Sequence, residues 1–216
     1  MFRQIRNKRR RPLRKIFAFA VILSFSCGIA VAAGPAKKGG KPVVLLETSM
    51  GKIKVELYPD KAPVTVENFL VYVNEGHYDG LVFHRVIRDF MIQGGGFTKE
   101  MKEKRPSRGP INNEAGNGLS NDRGTLAMAR TAVVDSATAQ FFINVVNNDF
   151  LNHKDETSRG FGYAVFGKVI EGMDIVDKIR SVPTENQRMS QDVPKDPVTI
   201  LKASQGGDTP LPHPGK

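Results

Sequence analysis

Residues 83–97, Phe-His-Arg-Val-Ile-Arg-Asp-Phe-Met-Ile-Gln-Gly-Gly-Gly-Phe, set an arginine, Arg85, among residues that are ordinarily buried. Phe83, Val86, Ile87, Phe90, Met91 and Ile92 surround it. A permanently charged guanidinium beside so much apolar surface is costly unless it is hydrogen-bonded or has work to do. Gln93 follows, then three glycines that let the backbone pack closely or turn sharply. The stretch reads as two short strands, Leu81–Ile87 and Phe90–Gln93, with a polar, cationic spot set in an apolar bed.

Outward from it, the chain reads as many short strands and two helices. Val43–Thr48 and Lys52–Tyr58 are expected to form a hairpin about Ser49-Met50-Gly51, the second strand carrying Ile53, Val55 and Leu57 on one face. Pro63 suits the first turn of a helix, in which Val66, Phe69, Leu70 and Val73 share a face and Gly76 follows the end. Further strands are expected at 124–130, 140–145, 163–169 and 197–203, and a second helix at 172–180. Residues 98–118 read as a long surface loop whose asparagines and lysines are solvated. Strands that do not alternate with helices argue for a mainly β fold, a closed or nearly closed antiparallel barrel with helices at its ends.

The formal charge of +10 suggests an anionic partner, but eight basic side chains and no acid fall within residues 1–33. Removing them leaves about +2 for the rest, so the folded part is not read as a nucleic-acid binder. Those first residues have the form of a secretory signal. A basic start ends at Lys15, an apolar run follows, and small residues close it at Ala30-Val31-Ala32-Ala33. Residues 1–33 are therefore expected to be a signal peptide, with an uncleaved membrane anchor as the alternative. Residues 34–42 read as a linker, 43–203 as the folded domain and 204–216 as a disordered tail. The single cysteine, Cys27, lies in the apolar run, so the mature chain has no disulfide, catalytic thiol or cysteine zinc site.

The histidines, His77, His84, His153 and His213, lack ligand spacing with carboxylates, so no metal is expected. Ser136, His84 and Asp135 could be written as a hydrolase triad, but no G-x-S-x-G elbow supports it. Gly94-Gly95-Gly96 lacks the spacing of a phosphate loop. On the residues alone, Arg85 is either a core arginine satisfied by carbonyls or the centre of a site.

Phe83–Gly95, Gly124–Arg130 (GTLAMAR), Ala139–Val145 (AQFFINV), Phe150–Asn152 and Phe161–Val169 (FGYAVFGKV) together resemble the cyclophilin family of peptidyl-prolyl cis/trans isomerases. The likeness runs in order from about Val43 to Ala203. INNEAGNGL at 111–119 and DSATAQFF at 135–142 are most similar to the exported bacterial members. The resemblance implies a closed eight-stranded antiparallel β-barrel capped by two α-helices, and a monomeric, periplasmic enzyme without cofactor or metal that acts on proline-containing, partly folded polypeptides. It implies Arg85 as the catalytic arginine. Phe90, Met91, Phe142 and Leu151 would receive the proline ring, and Gln93 would bind near the arginine. Ala129, Arg130, Gln140, Phe150 and Tyr163 match other groove positions. Phe150 stands where many relatives carry a tryptophan that donates a hydrogen bond to cyclosporin, so weakened cyclosporin binding is expected. Arg130 replaces an asparagine that contacts the peptide backbone, and Arg88-Asp89 replaces Pro-Gly. The alternative is a proline-peptide binding module or chaperone with little catalysis.

Overall fold

The computed structural model describes residues 41–187 and 190–206. The expected signal, most of the linker and all but the first three tail residues lie outside them. Ten strands and two helices follow in chain order. They are β1 (Val43–Thr48), β2 (Gly51–Leu57), α1 (Pro63–Asn74), β3 (Leu81–Ile87), β4 (Met91–Thr98), β5 (Thr125–Met128), β6 (Phe141–Asn144), β7 (Val165–Glu171), α2 (Met173–Arg180), β8 (Thr184–Gln187), β9 (Ser190–Pro194) and β10 (Ile200–Gln205).

Eight strands form one antiparallel sheet in the order β10-β1-β2-β7-β5-β6-β4-β3. Its two edges meet where Val82 bridges Thr199 and where the Phe83 and Gly80 amides donate to Val198 and Ile200 at 2.9 and 2.8 Å. The barrel is thus nearly closed rather than fully laddered at this seam. Strands β8 and β9 make a separate hairpin that the sequence pattern does not announce. The expected strand at 90–93 runs on to Thr98, because the three glycines continue β4 instead of turning it. The last strand reaches Gln205, two residues into the stretch expected as tail. At the other end Lys41 and Pro42 are docked: the Lys41 ammonium pairs with Glu56 at 3.0 Å and lies over the Tyr58 ring, and the Pro42 carbonyl accepts from Leu57.

Side-chain alternation divides the apolar residues into two layers. The inner layer fills the barrel and includes Val44, Leu46, Ile53, Val55, Phe83, Val86, Ile92, Leu126, Phe141, Ile143 and Phe166. Helix α1 adds Val66, Phe69 and Val73, the Phe69 ring packing against Tyr78, Phe141 and Phe166 at 5.1 to 5.5 Å. Helix α2 adds Val176 and Ile179. Pro63 starts α1, and in place of a side-chain N-cap the Glu114 carboxylate accepts from the Val64 and Thr65 amides at 3.1 and 2.8 Å. The outer layer is a smaller cluster built on Met91, Ala127, Phe142, Leu151 and Val165.

The long loop is not merely solvated. Asn117 Nδ2 donates to the Val165 carbonyl at 2.9 Å and Asn113 Nδ2 to that of Gly162 at 3.2 Å, so these asparagines stitch 98–118 to the edge of the outer layer.

Gly95 shows how tightly the inner layer is packed against its backbone. Its φ is +86°, and a Cβ there would stand 2.9 Å from the Tyr78 ring and 3.1 Å from the Ala139 carbonyl. That carbonyl accepts the buried Tyr78 hydroxyl at 2.9 Å. Gly95→Ala is expected to lower stability by about 2–4 kcal/mol, through backbone strain and overpacking. A thermal melt beside wild type checks this.

Candidate active site

An irregularity in β3 places Arg85. Phe83 pairs with Gly94 and Arg85 pairs with Gln93, so two steps along β3 oppose one step along β4. This one-residue bulge resets the alternation. Phe83 and Val86 both face the barrel interior, at 0 % and 1 % exposure, although an unbroken strand would put them on opposite faces. Arg85 is turned outward and is half-buried. Of the apolar neighbours that made its position look costly, Phe83, Val86 and Ile92 lie on the other side of the sheet, while Ile87, Phe90 and Met91 share its face and belong to the outer layer.

From Arg85 the ladder continues across four strands. Arg85 is opposite Gln93, Gln93 is opposite Phe142, and Phe142 is opposite Ala127. The next row runs Ile87, Met91, Asn144. Two aligned rows on the outer face thus set a cation and an amide beside an apolar floor. The floor is lined by Phe90, Met91, Phe142 and Leu151, with Ala129, Arg130 and Tyr163 completing a hollow of about 110 Å³. Tyr163 meets Phe142 edge to face at 5.7 Å. A second hollow of about 230 Å³ shares Gln93, Ala129 and Arg130 with the first and adds Glu103, Thr131, Ser136, Thr138 and Gln140.

The structure therefore brings together nine of the eleven expected residues around the first hollow. Gln140 belongs to the second, where its Oε1 accepts from Gln93 Nε2 at 2.9 Å and fixes the Gln93 amide. A Cβ on Gly96 would fall 2.5 Å from the Gln140 side chain, so that glycine makes room for this contact. Phe150 is not part of the lining. It stacks on Phe90 with ring centroids 5.5 Å apart and is 62 % exposed, forming an outer lip.

The Arg85 guanidinium has no hydrogen bond or ion pair among the described residues, and it borders the hollow directly. Arg130 is held differently. Its Nε donates to the Gly162 carbonyl at 2.9 Å, Nη1 to Thr131 at 2.9 Å and Nη2 to Ser158 at 2.8 Å, and the guanidinium lies 4.8 Å over the Tyr163 ring. It braces the 158–162 loop against the end of β5.

Two supports of the hollow are not readable in the sequence. The first is a buried amide network. Asn148 Nδ2 donates to the Phe90 carbonyl at 2.9 Å and to Asn144 Oδ1 at 2.7 Å, and Asn144 Nδ2 reaches Asn121 Oδ1 at 3.2 Å. Asn121 Nδ2 donates to the Leu151 carbonyl at 3.2 Å. Asn121, Asn144 and Asn148 are at most 2 % exposed, so the network ties together the backbones of two lining residues out of water's reach. The second support holds the Arg88-Asp89 turn. Arg180 of α2 donates to the Arg88 carbonyl at 3.0 Å and lies 3.5 Å from the Asp89 carboxylate. Both turn residues are exposed, and the turn closes with the Phe90 amide on the Ile87 carbonyl at 3.1 Å. The departure from Pro-Gly is thus absorbed by α2 and leaves Phe90 in the lining.

His84, beside the bulge, is 7 % exposed and packs on Phe97 at 4.6 Å. Burial pushes its pKa down to about 4. It is a structural group, and no Ser136–His84–Asp135 arrangement exists: the Ser136 hydroxyl donates to the Val133 carbonyl and accepts from the Thr131 amide.

Residues 43–205 match the family described as cyclophilin type peptidyl-prolyl cis-trans isomerase, and the chain belongs to that family. It is a peptidyl-prolyl cis-trans isomerase of cyclophilin type. Over 160 residues it is 61 % identical to peptidyl-prolyl cis-trans isomerase cyp18 of Streptomyces antibioticus, covering 74 % of this chain and 96 % of the relative. Over 158 residues it is 58 % identical to peptidyl-prolyl cis-trans isomerase B of Escherichia coli strain K12, covering 73 % and 96 %. Among solved structures, a Cryptosporidium parvum cyclophilin type isomerase crystallised in the presence of the dipeptide Ala-Pro aligns with a TM-score of 0.62 at 26 % identity, over 77 % of this chain and 99 % of that one.

Because His84 is held neutral, the unfolded chain binds more protons than the folded one between about pH 4 and the ordinary histidine range. His84 therefore makes the fold less stable as pH falls through that window. Urea melts from pH 7 to 4.5 should show a shallower loss of stability in His84→Gln than in wild type.

Proposed function

We propose that the outer-face groove accelerates rotation about X–Pro bonds in exported, partly folded proteins, with Arg85 as the catalytic residue. The observation that carries the Arg85 role is its guanidinium, without a hydrogen bond or ion pair among the described residues, beside a hollow floored by Phe90, Met91, Phe142 and Leu151.

The X–Pro amide has partial double-bond character and a rotation barrier of roughly 18–20 kcal/mol. Uncatalysed exchange takes tens to hundreds of seconds or so, slow enough to limit folding. No covalent bond breaks. Rotation makes the proline nitrogen pyramidal and returns its lone pair, so a donor aimed at that nitrogen favours the twisted state over the planar one. The Arg85 guanidinium supplies such a donor. Its hydrogen bond contributes about 1.5–3 kcal/mol, one or two factors of ten in rate. The rest comes from holding the proline ring on the apolar floor while the preceding carbonyl turns, and from a Gln93 amide already oriented by Gln140. Phe150 offers a ring and no donor at the lip, which supports weakened cyclosporin binding.

In a protease-coupled peptide assay, Arg85→Ala is expected to lose about ten- to a hundredfold in kcat/KM while melting like wild type. Wild-type turnover in that variant would remove Arg85 from the mechanism. Peptide binding and aggregation suppression by the wild-type protein without rate acceleration would make it a binding module instead.

Export rests on residues 1–33, whose basic start, apolar run and small-residue exit have the form of a cleaved signal. Intact mass of the protein recovered from the periplasm of an export-competent host should lack about the first 32 residues. The full-length mass in the membrane fraction would assign an anchor.

A further inference from the structure

The charge along the groove has one sign where the proline would sit. Arg85 and Arg130 line the first hollow, and no carboxylate does. Neither guanidinium is neutralised by an acid: Arg85 has no partner among the described residues, and the Arg130 bonds all end on neutral backbone carbonyls. Three of the five Arg130 donors are thereby used, and two remain. The nearby acids are otherwise placed. Asp89 is drawn to Arg180. Asp135 accepts the Asn113 amide at 2.8 Å. Glu103 lines only the second hollow.

Arg130 stands at the junction, part of the lining of both hollows. Three carbonyls and the Tyr163 ring hold it, so its charge is preorganised and little side-chain entropy is lost when a ligand meets it. A neutral amide in its place could read a peptide backbone; a fixed cation also attracts an anionic side chain.

We infer that Arg130 makes the enzyme selective for proline peptides that carry a carboxylate side chain one or two residues before the proline. The inference rests on the isomerase reading of the groove and adds a substrate class to it. A chain leaving the first hollow toward the second passes Arg130, so an Asp or Glu there meets the guanidinium, while a Lys is repelled by Arg130 and Arg85 together. The groove is open to water, so the effect is moderate and salt-sensitive.

The test is exchange NMR of isomerisation by the full chain, using peptides that differ only in carrying Glu, Gln or Lys at each of the two positions before proline. At low salt, kcat/KM for the better-placed Glu peptide should exceed that for its Lys counterpart by about five- to tenfold, and the ratio should shrink at high salt. Arg130→Gln should bring the ratio close to one, and Arg130→Lys should retain most of it, because the charge survives although the three-carbonyl brace does not. Melts of both variants separate selectivity from loss of fold. A brace with no part in selectivity would lower turnover of all the peptides alike and leave the ratio where it was, which overturns the inference. So would a wild-type enzyme that turns over the Gln peptide and does not distinguish Glu from Lys; the isomerase reading would then stand. Failure to turn over any of the peptides would instead strike at the isomerase reading itself.

Discussion

An extra residue in β3, opposite Gln93, decides which way Arg85 looks. With an unbroken ladder Phe83 and Arg85 would share a face, and either the phenylalanine would leave the core or the guanidinium would enter it. The second alternative would bury an unpaired charge, among the most costly arrangements a core can hold. The bulge lets both residues occupy suitable surroundings within three positions of each other. Everything on the outer face follows: the Arg85–Gln93–Phe142–Ala127 row, the apolar floor beside it, and the lip where Phe90 meets Phe150. Inside, the same reset lets Val86 and Ile92 face each other in the barrel.

The outer layer is small, and its rigidity comes from polar groups as much as from apolar contact. Backbone carbonyls of Phe90 and Leu151 are gripped by buried asparagines, the Phe90 carbonyl also accepts the Val145 amide, and Arg130 clamps the far loop. A buried amide without its partner is costly, so such a network specifies one arrangement more sharply than apolar packing does. A groove that holds a peptide while one of its bonds rotates needs walls that do not give way.

Much of this architecture is legible in the amino-acid sequence. Period-two runs with β-branched residues mark the barrel strands, and Pro63 with Gly76 marks the ends of α1, because those signals are local. The residues of the hollow are legible through their likeness to a known family. Less local features are not. Strands β8 and β9 carry Thr184-Glu185-Asn186-Gln187 and Ser190-Gln191-Asp192-Val193-Pro194, polar runs in which only Val193 and Pro194 are buried, so there is no hydrophobic alternation to read. The bulge leaves no compositional trace, since it is a relation between two strands. Asn121, Asn144 and Asn148 look like loop residues because asparagine usually is one, and their burial depends on chain segments that fold over them.

The grip of Arg180 on the turn before Phe90 has a consequence for how this enzyme can diverge. Arg180 holds the backbone carbonyl of Arg88, a group every residue possesses, and its contact with the Asp89 carboxylate is long and exposed. The shape of the turn is therefore largely decoupled from the side chains it carries. Positions 88 and 89 form a rim on which charge can be rewritten by single substitutions while the aromatic wall stays in place, so descendants of one groove can drift toward different clients without first losing the fold that serves them all.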